Sequence, residues 1–140
     1  DPFSTLCEYS AYLKKGGHLY ISVPNVVVWN NRFKFLFGHF DYQSTGVMDR
    51  THIRFFTYKS AKEMINAAGN KILKTDYTPM MVRVFLPIIK KHHQNNNRNS
   101  IIDSQGYKFY QEYIYPIEYT LGYFFKSFFA FRIIIVAEKK

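Results

Sequence analysis

The residues best suited to chemistry lie together in one nonapeptide, Asp49 to Thr57. It combines a carboxylate, two guanidinium groups, an imidazole and two hydroxyls with a pair of phenylalanines. The imidazole of His52 is the candidate base, because imidazoles exchange protons near neutral pH, and Asp49 could orient it. The structural alternative is that His52 binds the backbone and locks the loop.

Arg50 and Arg54 are candidates for binding an anionic substrate, because a planar guanidinium matches the oxygens of a carboxylate or phosphate. The alternative is a salt bridge to Asp41 or Asp49. Asn25 directly follows a predicted strand, and sites in α/β proteins form at the carboxyl ends of strands. Its amide could therefore face the reaction centre, or it could cap the next helix.

Short elements with clear boundaries hold these residues. Asp1 and Pro2 predict the start of a helix, which basic residues and Gly16 end. Apolar and polar residues alternate from His18 to Val23, a pattern that predicts a strand. The chain therefore opens with a helix, a tight turn and a strand.

The elements after the nonapeptide follow a similar pattern. Thr57 predicts the N-cap of a helix that ends at Gly69. Lysines in the alternating stretch Lys71 to Tyr77 predict an edge strand, and the β-branched run within Arg132 to Ala137 predicts a buried one. Phe109 to Phe131 is predicted to be helical and aromatic-rich, with an interruption at its proline.

Composition narrows the class of protein. The 140 residues suit one domain, and a hydrophobic content of 47% is typical of a globular chain. A net charge of +9 could attract nucleic acid or anionic lipid without choosing between them. Cys7 is the only cysteine, which excludes an internal disulfide and favours a reducing, cytoplasmic compartment. His92 and His93 lie in a polar run without further ligands, so no metal site is predicted.

Several motifs follow one another in a fixed order over roughly residues 1–78. They are Asp1-Pro2, Leu13-Lys14-Lys15-Gly16-Gly17, Ser22-Val23-Pro24-Asn25-Val26, Phe40-Asp41-Tyr42, Gly46 through Thr57, and Ala68-Gly69-Asn70. In this order the chain resembles the C-terminal half of a class I S-adenosylmethionine-dependent methyltransferase, in the small-molecule and ubiquinone-type branch. It departs from the family's pattern at Phe40, where tryptophan is usual, and at Asn70, where phenylalanine is usual.

The resemblance implies an α/β fold, the C-terminal part of a Rossmann-like methyltransferase domain. The predicted strands would be the fifth, sixth and seventh of a seven-stranded sheet, and Arg132 to Ala137 would lie antiparallel between the other two. Residues 1–140 would form a single partial domain. Residues 79–130 would form a variable, aromatic-rich insertion or cap, with a flexible loop near 90–100.

The resemblance also implies a function. The chain would be the substrate-side portion of an enzyme that transfers a methyl group to a small molecule or to a lipid or sugar precursor. His52 would be the base and Asp49 its orienter. The substrate-binding residues would be Arg50, Arg54, Asn25 and Tyr42.

The cofactor S-adenosylmethionine is expected to bind elsewhere. Its site in such folds needs a glycine-rich turn after a strand, and no cluster of glycines follows a strand here. We therefore expect the cofactor half upstream of Asp1 and little activity from this chain alone. Strand 18–23 would then have an exposed edge, covered by the missing half or by self-association.

A rival interpretation comes from the basic and aromatic residues alone. They could form a non-enzymatic module that binds RNA or an anionic membrane surface. Steep loss of binding with salt, and no cofactor binding by a longer chain, would favour this interpretation.

Overall fold

The computed structural model describes residues 1–81 and 102–140. The described part is a mixed α/β fold with a three-stranded antiparallel sheet. The strands are β1 (His18–Pro24), β2 (Asn70–Pro79) and β3 (Ala130–Lys139). The helices are α1 (Pro2–Tyr12), α2 (Trp29–Leu36), α3 (Tyr58–Ala67), α4 (Gln105–Phe109), α5 (Tyr115–Phe124) and α6 (Lys126–Phe129), and a π-helical segment, Tyr110–Ile114, joins α4 to α5.

The last strand of the chain is the central strand of the sheet. The order is β1-β3-β2, and β3 runs antiparallel to both neighbours. This confirms the expected position of the last strand and the prediction that Lys71 to Tyr77 belongs to an edge strand. Because β1 and β2 run in the same direction, their carboxyl ends meet where β3 begins, and Arg132 pairs with both Pro24 and Thr78.

Local signals set the starts of α1 and α3 and the end of α3 as predicted, whereas α1 ends at Tyr12, before the predicted basic residues and Gly16. The Asp1 carboxylate accepts a hydrogen bond from the Phe3 N–H at 3.2 Å and caps α1. Thr57 and Ser60 form a reciprocal capping box at the start of α3, which contributes about 1 kcal/mol to helix stability. Gly69 follows α3 with a φ of +79°, a conformation that favours glycine.

The core lies between one face of the sheet and helices α1 and α3. Its buried residues are Leu6, Ala61, Ile65, Tyr77, Ala130, Ile133, Ile135 and Ala137. Burying one large aliphatic side chain contributes roughly 1.5–3 kcal/mol, so this layer is the main source of stability. The intervening residues Ile134 and Val136 are only half-buried, so the last strand is closely packed on one face within the described part.

Helix α2 lies in a stretch whose pattern indicated no element, and one prediction differs from the structure. The stretch from Val26 to Phe40, which lacks clear periodicity, contains helix α2. Pro116 does not break the helical region: it lies in the first turn of α5, and the helical backbone continues into this turn from the segment before it. The irregularity is the π-helical segment just before it.

Some predictions fall outside the described residues. The polar loop near 90–100, with His92 and His93, is among them. Among the residues that are described, no helix is both long and apolar enough to cross a membrane.

Candidate functional site

A cleft of about 300 Å³ lies where β1 ends and β3 begins. It is lined by Pro24, Thr45, Gly46, Asp49, His52, Phe131 and Arg132. The predicted catalytic pair, Asp49 and His52, is therefore brought together in one cleft. The cleft is at the carboxyl end of a strand, where sites in α/β proteins form.

The loop that carries this pair is closed by its own backbone. The Gln43 N–H donates to the Met48 carbonyl at 2.8 Å, and the Arg50 N–H donates to the Gln43 carbonyl at 3.1 Å. Val47 and Met48 are buried and anchor the loop in the interior. Gly46 has a φ of +103°, a conformation that a residue with a side chain rarely adopts. We call residues 43–52 the cleft loop.

The ring of His52 is held by the main chain of the cleft loop. Its Nδ1 atom lies 2.9 Å from the Val47 carbonyl oxygen. A carbonyl can only accept, so Nδ1 carries the proton, and Nε2 of the neutral ring has the lone pair. The two roles considered for His52 are therefore compatible, since one nitrogen locks the loop and the other can take a proton.

Asp49 acts mainly on the turn that follows it. Its Oδ1 accepts hydrogen bonds from the N–H and the hydroxyl of Thr51, both at 2.8 Å. These bonds, the backbone one first, lower the pKa of the Asp49 carboxyl, and the nearby His52 adds to the effect. The group that orients the His52 ring is the Val47 carbonyl, whereas Asp49 supplies the turn and a negative charge beside the ring.

The two arginines of the nonapeptide are exposed and do not line the cleft. Within residues 1–81 and 102–140, neither forms an ion pair with Asp41 or Asp49. Instead, Oδ2 of Asp41 lies 3.9 Å from Nδ1 of His39. The salt-bridge alternative for Arg50 and Arg54 is therefore not seen in the described part.

Arg132 is a site residue that sequence reasoning missed. It lines the cleft, and its backbone N–H donates to the Thr78 hydroxyl at 3.2 Å. One feature of the sequence could have identified Arg132 as a site residue. It is a cation at the start of the strand that was expected to lie between the other two strands. Arg132 is thus the arginine that is positioned to meet an anion in the cleft.

Asn25 joins the two strands that border the cleft. Its side chain is fully buried, and Nδ2 donates to the carbonyls of Ser127 at 3.0 Å and Ala130 at 2.9 Å. Its backbone N–H donates to the Phe131 carbonyl at 3.0 Å. Helix α2 begins after Val28 without a side-chain cap, so Asn25 does not cap it. The buried amide instead fixes the wall of the cleft.

Tyr42 lies in an aromatic cluster outside the cleft. Its ring centroid is 6.0 Å from those of Phe40 and Phe55, and Phe35 stacks on Phe40 at 5.1 Å. Tyr42 itself is half exposed. This cluster connects α2 to the nonapeptide.

A buried carboxylate lies at the end of β2 and was also missed. Glu118 Oε1 accepts from the N–H groups of Met80 at 2.8 Å and Met81 at 2.6 Å, and Oε2 accepts from the Tyr110 hydroxyl at 3.0 Å. Burial raises the pKa of the Glu118 carboxyl, and these hydrogen bonds oppose part of the rise. Glu118 therefore ties α5 to the end of β2.

Comparison with known protein families and with curated proteins found no match to this chain. The function is therefore inferred from the residues and their geometry.

Proposed function

We propose that this chain is the substrate-side portion of an S-adenosylmethionine-dependent methyltransferase that acts on a small molecule or on a lipid or sugar precursor. One observation carries the proposal. The two most distinctive motifs of the resemblance, Ser22 to Val26 and Gly46 to Thr57, meet at one cleft, which His52 and the ionised Asp49 both line.

The strand arrangement supports the same proposal. We assign β1, β2 and β3 to the fifth, sixth and seventh strands of a Rossmann-like sheet. The assignment rests on the motif order and on the central, antiparallel position of the last strand. In such a sheet a further strand pairs with the outer edge of β1.

The outer edge of β1 can be read from its hydrogen bonds. Asn25 and Gly17 bond to β3, so alternation turns the N–H and C=O groups of His18, Tyr20 and Ser22 away from β3. Pro24 has no N–H, so the next outward N–H is that of Val26, which donates to the Phe56 carbonyl at 2.8 Å. Along β1 itself, no strand of the described part pairs with this edge. The missing half or a second copy would cover it.

The chain's own contribution is acceptor binding and proton removal. A hydroxyl or amine acceptor in the cleft gives its proton to Nε2 of His52 as its lone pair becomes the nucleophile. The imidazolium formed lies next to a carboxylate, which stabilises its positive charge. An acceptor with a carboxylate or phosphate group is favoured, because Arg132 lines the same cleft.

The described residues do not fit the cofactor. Strand β1 ends at Pro24, whose ring restricts the backbone, and the next residue is Asn25, whose amide is buried. The positive-φ glycines of the described part lie far apart in sequence, at Gly16, Gly38, Gly46 and Gly69. The proposal therefore assigns binding of the methyl donor to a different part of the protein.

Calorimetric titration with S-adenosylmethionine tests the proposal. We expect binding by a longer protein that includes upstream residues and none by residues 1–140 alone. A panel of hydroxyl and amine acceptors, with and without an anionic group, would then be assayed with labelled methyl donor. Absence of cofactor binding by the longer protein would refute the proposal.

A further inference from the structure

Helix α2 and the segments packed beside it expose large apolar side chains. Leu36 is 76% exposed, Phe37 73% and Ile53 84%. Phe33 and Phe40 are also more than half exposed. Contiguous apolar patches of this kind are uncommon on monomers and mark interaction sites.

Aromatic contacts bring the segments that carry these side chains next to one another. The ring centroids of Phe35 and Phe40 are 5.1 Å apart, and those of Phe40 and Phe55 are 6.1 Å apart. The His39 N–H donates to the Lys34 carbonyl at 2.9 Å and fixes the turn after α2. We define the α2 surface as Phe33, Lys34, Leu36, Phe37, Phe40, Arg50, Ile53 and Arg54.

The charge of the α2 surface favours an anionic partner. Lys34, Arg50 and Arg54 are exposed cations, and neither arginine forms an ion pair within the described part. The exposed acid nearest in sequence to α2 is Asp41, and its carboxylate lies 3.9 Å from His39. Exposed cations and exposed apolar side chains together favour a partner whose surface is both anionic and apolar.

A lipid bilayer fits this surface better than single-stranded RNA does. RNA is held by bases that stack on open aromatic faces. Leu36 and Ile53 have no such face, and Phe40 is stacked on Phe35 and meets Phe55 edge-on at 88°. Phe33 meets Trp29 edge-on, so Phe37 is the one exposed ring of this surface without a ring contact in the described part, and a single ring is a small platform for bases. A bilayer instead accepts aliphatic and aromatic groups at the acyl boundary while basic side chains meet phosphates.

We propose that the α2 surface docks this protein onto an anionic lipid bilayer. Leu36, Phe37 and Ile53 enter the interfacial region, and Lys34, Arg50 and Arg54 bind lipid phosphates. The proposal does not depend on methyl transfer, because the α2 surface is separate from the cleft. It places the cleft loop beside the membrane, since Arg50 belongs to both.

Vesicle co-sedimentation tests the docking directly. We expect residues 1–140 to bind phosphatidylcholine vesicles that contain phosphatidylserine, and to bind pure phosphatidylcholine weakly. The double variant Leu36→Ser/Phe37→Ser should bind at least about tenfold more weakly, because two apolar side chains are then lost from the acyl boundary. Ile53→Ser is a second, independent apolar variant. The matched control is Tyr12→Ser, a residue on α1 that is 78% exposed.

The charge component has its own variants. Arg50→Gln/Arg54→Gln should weaken binding about tenfold or more, because two cations that attract the anionic lipid surface are removed. The exposed pair Lys14→Gln/Lys15→Gln lies in the turn after α1 and should bind as the unmodified chain does. Added salt should weaken binding of the unmodified chain more than that of the arginine variant.

Three outcomes would overturn the proposal. The first is equal binding to neutral and anionic vesicles, or none to either. The second is vesicle binding that the α2-surface variants leave unchanged. The third is that these variants abolish self-association in sedimentation, or binding of a single-stranded oligonucleotide, while vesicle binding persists. In that case the surface serves a second copy or a nucleic acid.

Discussion

The Nδ1 atom of His52 lies 2.9 Å from the carbonyl oxygen of Val47, which is buried in the same loop. A single hydrogen bond therefore links the fold of the cleft loop to the protonation pattern of the ring. Because the carbonyl only accepts, it selects the tautomer whose Nε2 can act as a base. This geometry allows the structural and catalytic roles of His52 to be separated by mutation.

Two substitutions at His52 separate these roles. We expect His52→Ala to lower the turnover of the longer protein, which includes the upstream residues, by about 10²–10⁴-fold. The same substitution should lower the free energy of unfolding by about 1 kcal/mol. His52→Gln should lower turnover as much but lose less stability, because its amide can still donate to Val47. Turnover and urea unfolding would be measured for both, with the exposed His18→Ala as control. Unchanged turnover in His52→Gln would make the residue a structural lock.

Arg132 is expected to act in substrate binding rather than in proton transfer. Arg132→Gln should raise KM for an acceptor with an anionic group about tenfold or more, with a smaller change in kcat. Arg54→Gln, which removes an arginine outside the cleft, is the matched control. The measurement is steady-state kinetics with anionic and neutral acceptors. An equal effect on both acceptors would argue against anion binding by Arg132.

Loss of the Asn25 amide should destabilise the fold more than most polar substitutions. Asn25→Ala leaves the buried carbonyls of Ser127 and Ala130 without their donor, so we expect a cost of about 2–3 kcal/mol. Asn66→Ala, at an exposed position of α3, should change stability by less than about 0.5 kcal/mol. Urea denaturation of both variants measures the difference. If Asn25→Ala and Asn66→Ala had equal free energies of unfolding, water would be replacing the Asn25 amide as the donor to these carbonyls.

Glu118 predicts a specific dependence of stability on pH. Its pKa is raised above the ordinary value of 4.5, so the folded state holds the proton more tightly than the unfolded state does. The associated stability is present below pH 4.5 and is lost as pH rises through the raised pKa. Glu118→Gln stays neutral and should therefore gain stability relative to the unmodified chain as pH rises.

Urea unfolding of both chains at pH 4.5 and at roughly pH 8 measures this difference. Taking the difference between the two chains cancels the contribution of the other carboxyl groups. A variant that loses stability relative to the unmodified chain at the higher pH would reverse the sign and refute the assignment.

Gly122 and Tyr77 are in close contact between α5 and β2. A Cβ added at Gly122 would lie 2.4 Å from the Tyr77 ring, and burial, as the largest cause, raises the pKa of Tyr77 to about 12. The Tyr77 hydroxyl donates to the Tyr119 carbonyl. We expect Gly122→Ala to cost about 1–3 kcal/mol, because the ring has to move out of this packed position.

A double-mutant cycle identifies the cause of that cost. With Tyr77→Leu in the background, Gly122→Ala should cost less, since the clashing ring is gone. The free energies of unfolding of the four chains give the coupling. If the free-energy costs of Gly122→Ala and Tyr77→Leu were additive, the glycine would be needed for a reason other than its contact with the Tyr77 ring.

Much of the local structure could be predicted from neighbouring residues. The cap at Asp1, the capping box at Thr57 and the turn at Gly69 all depend on contacts within a few residues. Alternation marked β1 and the lysine-bearing edge strand β2, because one face of each strand is packed. The nonapeptide also singled out Asp49 and His52 as a pair, and the structure places both of them in the lining of one cleft.

The sequence by itself determined the strands, the starts of α1 and α3 and the chemical groups of the cleft loop, because these follow from short-range hydrogen bonding and periodicity. Only the tertiary structure decided which groups share a site. Asn25 reaches Ala130 across 105 positions, and Glu118 reaches Met80 across 38. Arg132 likewise enters the cleft only because β3 lies between β1 and β2. Such long-range pairings depend on how the sheet is assembled and leave no local pattern to read.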